Sequence, residues 1–76
     1  LYNDSMVCLE IRHIVNREAV ATAADTIRVE ASPALIQYIK YNKLQNKWEK
    51  ESGKKIVLAG NDNLCHGFVV RPVFND

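Results

Sequence analysis

Between Thr26 and Asp62 the chain carries a full set of start and stop signals, and they restrict it to a compact α+β unit. Thr26-Ile-Arg-Val-Glu-Ala31 alternates apolar and charged residues. That period of two is a strand with Ile27, Val29 and Ala31 on one face and Arg28 and Glu30 on the other. Ser32 is a good N-cap and Pro33 suits a first helical position, so a helix starts here with Leu35, Ile36 and Ile39 inward. Apolar positions resume at Leu44 and Trp48, an i, i+4 pair. Between them Tyr41-Asn-Lys43 is where the helix is expected to break or bend, because Asn readily leaves helical geometry. Gly53 is the left-handed stop. Ile56-Val-Leu58 is a continuous apolar run, expected to be a strand covered on both faces.

Outside this segment, Asp4 or Ser5 is expected to cap a first helix over about Ser5 to Thr22. At 100° per residue Val7, Ile11, Ile14, Val15 and Ala19 share one broad face, with Cys8 and Ala21 at its margins. Met6, Leu9, His13 and Val20 fall on roughly the opposite side, which a surface helix usually keeps polar. Either these are the scattered apolar residues found on any surface, or the helix has two faces to cover. The second reading makes the four an interface with another domain or a second protomer.

Gly60 to Gly67 is turn-rich, and Phe68-Val-Val-Arg-Pro-Val73 reads as a last strand. Pro72 cannot donate to a ladder, which places that strand at an edge. The expected fold is therefore α+β, in the order α-β-α-(α)-β-β. It is a three-stranded sheet with two to three helices on one face. The simplest pairing joins the last two strands antiparallel through the Gly60–Gly67 connection.

Seventy-six residues make one small domain, of a size that buries only about 60% of its unfolded-chain surface. No apolar run approaches the roughly 18 residues a membrane span requires, and no signal peptide is visible. The start at Leu1 rather than Met is read as a piece of a longer protein. Cys8 and Cys65 are too few and too far apart for a disulfide framework. They read as buried or half-buried reduced thiols in a reducing, cytoplasmic compartment.

The formal charge of +1 conceals an asymmetry. Lys40, Lys43, Lys47, Lys50, Lys54 and Lys55 face only Glu49 and Glu51 in their segment, a local balance of +4, and the rest of the chain balances to −3. On one continuous helix, Lys40, Lys43, Lys47 and Lys50 would form a ridge beside Tyr41 and Trp48, able to follow a phosphate backbone. A solvated helix face explains the same residues without a ligand.

Catalytic candidates are thin. Cys65-His66 is one adjacent pair, which cannot build a tetrahedral zinc site and lacks an activating context for nucleophilic catalysis. Gly60-Asn-Asp-Asn63 has turn residues and a single carboxylate, a poor calcium loop. No catalytic, cofactor-binding or metal residue is expected in this chain.

With these residues laid out, the chain resembles the ribonuclease E/G family, specifically the small subdomain that ends the catalytic half of those bacterial endoribonucleases. The resemblance runs from about Asn3 to Val73. It lies in Asn3-Asp-Ser5 before a helix with Val7-Cys8, Ile11-Arg12 and Arg17-Glu-Ala19, then in Ile27-Arg-Val-Glu30 followed by Ser32-Pro33. It is clearest at Trp48-Glu-Lys50, Ser52-Gly-Lys-Lys-Ile-Val57 and Gly60-Asn-Asp62, and continues in Leu64-Cys-His66. The junction Tyr41-Asn-Lys43 is shorter than is usual in the family, and Ser32 stands where many members have histidine. The resemblance implies a parent protein in RNA processing and decay. Its magnesium-binding aspartates and paired-cysteine zinc link would lie upstream, and Cys8 and Cys65 do not match that link. For this part it implies a role in assembly, and the clustered lysines add the expectation of auxiliary RNA contact through Lys40–Lys55. The alternatives are a free-standing RNA-binding module of K-homology-like outline and a protein-interaction domain. The Gly-x-x-Gly clamp of the K-homology module has no counterpart at a helix–helix junction here.

Overall fold

A computed structural model describes residues 3–74 of the chain. Helix α1 (Asp4–Ala21) is followed by strand β1 (Thr26–Ala31), helices α2 (Pro33–Tyr41) and α3 (Leu44–Ser52), and strands β2 (Lys55–Gly60) and β3 (Phe68–Val73). The α+β class and the α-β-α-α-β-β order match the expectation. All three helices lie on one face of a mixed three-stranded sheet, and the core sits between the two layers.

The first cap differs from the expectation. Asn3, in extended geometry, accepts from the Met6 N–H through Oδ1 at 3.0 Å. Ser5 does not cap. Its hydroxyl donates to the same Asn3 oxygen at 2.8 Å and braces it. The buried stripe of α1 is Val7, Cys8, Ile11 and Val15. Cys8 thus belongs to the core rather than to its margin. The second helix starts as read: Ser32 Oγ accepts from the Leu35 N–H at 3.2 Å, with Pro33 in the first turn.

The strand order is β2-β1-β3. β1 pairs parallel with β2, Ile27 beside Ile56, and antiparallel with β3, Val29 beside Val70. The expected hairpin of the last two strands is therefore wrong, because β1 lies between them. The outer edge of β2 is already occupied. Ile56 turns its backbone outward, where its N–H donates to Glu49 Oε2 at 2.9 Å and its C=O accepts from Gln45 Nε2 at 2.7 Å. With that edge taken by α3, the loop of residues 61–67 crosses the Ala31 end of β1 and sets β3 on the other side. Asn61 fixes the crossing, donating its N–H to the Ala31 carbonyl at 2.8 Å and its amide to Glu30 Oε1 at 3.2 Å.

β3 is an edge strand, as Pro72 required. β2 is an edge as well, and this corrects the reading of Ile56-Val-Leu58 as a strand covered on both faces. Ile56 is buried toward the helices, while Val57 on the other face is exposed. Ile27, Val29 and Ala31 are fully enclosed beneath the helices. Burying the Ile27 and Val29 side chains stabilises by roughly 1.5–3 kcal/mol each.

Candidate functional site

Two surfaces carry the residues singled out from the sequence. On α1, Met6, Leu9, His13 and Val20 all lie on the outer side and none packs into the core. Met6 is 56% exposed, Leu9 51% and Val20 90%. They follow one another along the helix at steps of three, four and seven, so they share a ridge. Glu10 and Arg17 are exposed beside it.

The second surface is the outside of α2 and α3. The two helices do not form one rod. Asn42 ends α2, its side-chain amide donating to the Tyr38 carbonyl at 2.8 Å, and Lys43 takes left-handed backbone at φ 58°. An L-residue in that region costs on the order of 1 kcal/mol. The uninterrupted lysine ridge is therefore bent into a corner. Lys40 and Tyr41 lie on its first limb, Lys43 at the vertex, and Lys47 and Lys50 on the second limb, all exposed.

The remaining lysines go elsewhere. Lys54 is half-buried, and its Nζ donates to the Thr22 carbonyl at 3.3 Å, tying the start of β2 to the end of α1. Lys55 alternates with Ile56, so it belongs to the sheet face away from the helices. Trp48, expected beside the ridge, is 2% exposed and is a core residue of α3. It offers no surface for stacking.

The acids of the segment are engaged by other groups. Glu49 is held against Ile56 at the β2 edge. Glu51 receives a two-pronged contact from Arg12 of α1, Nε to Oε1 and Nη2 to Oε2, both at 2.9 Å. The Arg12 hydrogen bond, and then its charge, hold the Glu51 carboxyl below its ordinary range, with smaller contributions from Asn16 and Lys47. The same pairing raises the Arg12 guanidinium. Among the described residues the salt bridges are Arg12–Glu51 and Arg28–Glu30, so no lysine is ion-paired there. The corner thus presents lysines with both neighbouring carboxylates committed to the fold. Sequence reading missed this, since it counts Glu49 and Glu51 against the lysines wherever they point.

Between α1 and the corner runs a shallow groove of about 210 Å³, lined by Cys8, Leu9, Arg12, Tyr38, Leu44 and Lys47 among others. Burial, and then the charge of Asp4, push the Cys8 thiol up to about 11, so it stays protonated and unreactive near neutrality. Cys65 is exposed rather than buried, since the loop of residues 61–67 lies over the strand ends and outside the core. His66 beside it is exposed too. Asn61 folds the Gly60–Asn63 turn on itself, its Oδ1 accepting from the Asn63 N–H at 2.9 Å. Among the described residues there is no group of three or more His, Cys, Asp or Glu side chains placed to hold a metal ion, and no helix is long and apolar enough to cross a membrane.

No protein-family model matches the chain, and no curated protein matches it significantly.

Proposed function

We propose that this chain is a structural and assembly subdomain of a protein similar to the ribonuclease E/G endoribonucleases, with auxiliary contact to RNA through its lysines. The observation that carries the assembly role is the exposed ridge of Met6, Leu9, His13 and Val20 on a helix whose opposite side fills the core. A helix with apolar residues on two sides has covered only one of them. The auxiliary RNA role rests on the exposed Lys40, Lys43, Lys47 and Lys50. Lys54 and Lys55 point elsewhere and are not assigned to it. Hydrolytic chemistry, and the magnesium and zinc that the resemblance implies, belong to other parts of the parent protein in this reading. The compartment it fits is the cytoplasm.

The test is the mass of the chain in solution by light scattering over a wide concentration range, with a Leu9→Glu variant alongside. Concentration-dependent association that Leu9→Glu abolishes is the expected result. A monomer at every concentration removes self-assembly through this ridge. The parent assignment is tested separately by the coding sequence 5′ of the Leu1 codon, where a paired-cysteine link preceded by an aspartate-bearing domain is expected.

A second reading, a free-standing RNA-binding module, is favoured by one observation. The β1-α2-α3-β2 unit places a basic corner at a helix–helix junction, the position where K-homology domains clamp RNA with a Gly-x-x-Gly loop. Asn42-Lys43 supplies no such loop. The same upstream coding sequence separates the two readings.

A further inference from the structure

We propose that the corner between α2 and α3 is selective for single-stranded RNA, with Tyr41 as a stacking platform for one base and Lys40, Lys43, Lys47 and Lys50 holding the flanking phosphates. This inference rests on the auxiliary RNA contact proposed above and specifies its ligand.

Three observations carry it. First, Tyr41 is 87% exposed at the last position of α2. Buried Ile39 lies two residues earlier, about 200° around the helix, so Tyr41 projects away from the core. A large aromatic ring left in water beside lysines has apolar faces with nothing of its own domain against them. Second, Lys43, Lys47 and Lys50 follow at steps of four and three, the spacing of helix-surface neighbours, and Lys40 is adjacent to Tyr41. Lys40 and Lys43 therefore bracket Tyr41 in the chain, and Lys47 and Lys50 continue the cationic surface along α3. Third, the two acids of the segment already have partners, Glu49 at the Ile56 N–H and Glu51, beside Lys47, at the Arg12 guanidinium that offsets its charge. Among the described residues Lys40, Lys43, Lys47 and Lys50 are left without a salt-bridge partner.

A duplex shows a protruding corner only its phosphates, because its bases are paired and stacked on one another. A single strand can splay out a base and lay it on the ring while its neighbouring phosphates reach the lysines. The ring sets the preference for single strands, and the lysines supply the salt-dependent part of affinity. An acidic protein surface would satisfy the lysines equally well but has no use for the π-face of Tyr41.

The experiment uses fluorescence anisotropy of a labelled mixed-sequence 12-nucleotide RNA, the same RNA annealed to its complement, and a polyglutamate peptide. Wild type, Tyr41→Ala, Tyr41→Phe and Lys50→Ala are compared, with circular dichroism to confirm folding. The single strand is expected to bind more tightly than the duplex, with a log–log salt slope near −3 for four lysines, falling by about 0.7 in Lys50→Ala. Tyr41→Ala should lose about tenfold in affinity for the single strand, and Tyr41→Phe should retain it. Equal binding of single strand and duplex with Tyr41→Ala unchanged overturns the selectivity and leaves the RNA contact standing. Tighter binding of polyglutamate than RNA, unaffected by Tyr41→Ala, overturns it in favour of an acidic protein partner. Absence of salt-dependent binding to either RNA removes the auxiliary contact and this inference together.

Discussion

Helices α1 and α3 are attached to the same core by different means. α1 buries four residues, Val7, Cys8, Ile11 and Val15. α3 buries Trp48 fully and Leu44 in part, and supplements them with polar bonds: Gln45 and Glu49 to the Ile56 backbone and Glu51 to Arg12. The difference decides what each helix shows to solvent. α1 reaches α3 with Arg12, and its outer side is a mixture in which Met6, Leu9 and Val20 stand out. α3 uses its carboxylates as internal fasteners, and its lysines are what remains outside. The same chain thus produces one apolar and one cationic surface because α1 is held mainly by packing and α3 by a core anchor together with hydrogen bonds.

The largest effects should come from removing the buried anchor of each helix. Trp48→Ala is expected to cost about 3–5 kcal/mol, against about 2–5 kcal/mol for Ile11→Ala. The first should also loosen α3, whose other apolar contact with the core is the partly buried Leu44. Urea unfolding followed by hydrogen exchange in α3 reads both. If Trp48→Ala proves milder than Ile11→Ala and α3 stays protected, the polar bonds carry more than assigned here. Next comes Glu49→Ala, which leaves the Ile56 N–H unpaired at a part-buried site and should cost about 1–3 kcal/mol. Glu49→Gln keeps an acceptor and should recover most of that, so equal losses in the two variants would place the cost elsewhere.

Smaller effects test the corner and the staple. Lys43→Gly relieves left-handed backbone and should raise stability by about 0.5–1 kcal/mol in chemical denaturation, after allowing for the entropy glycine adds to the unfolded chain. A loss would mean that the lysine side chain holds the corner. The Arg12–Glu51 staple should appear as a pH dependence. Glu51 titrates lower in the folded chain than its ordinary value of 4.5. Its contribution is therefore present above about pH 4.5 and is lost as pH falls through the folded-state value. Melting temperature measured from pH 7 to pH 3 should fall more steeply in wild type than in Arg12→Ala. Parallel curves would show that the staple adds nothing in solution, as many exposed pairs do.

Local signals were the legible part of the sequence. The alternation in β1, the Ser32-Pro33 start, the break near Asn42 and the Gly53 stop all act within a few residues, and the structure has them where the sequence puts them. Pro72 marked an edge because a missing N–H excludes a central strand whatever its neighbours. Strand pairing was not legible, because it depends on Gln45 and Glu49 reaching the β2 edge from a helix eleven and seven residues away in sequence. The apolar run in β2 misled for a related reason. Val57 is apolar but lies on the face with no helix against it. The cap was missed by one residue because Asn3, Asp4 and Ser5 are all competent, and backbone geometry chose among them. For the lysine surface, composition gave the sign of the charge. Which lysines share a face, and where the two acids point, required coordinates.

The two edges of the sheet restrict how copies of this chain can come together. On one side an incoming strand would have to displace Gln45 and Glu49 from Ile56. On the other it meets Pro72, which pairs with Ile27 and leaves a gap in the row of donors. Growth by adding strands edge to edge is obstructed twice, once by side chains and once by a ring. Association must then proceed through layers rather than through the ladder, with whole helices or the open sheet face as the contact. Such contacts close into a defined number of subunits more readily than strand addition, which has no natural stopping point.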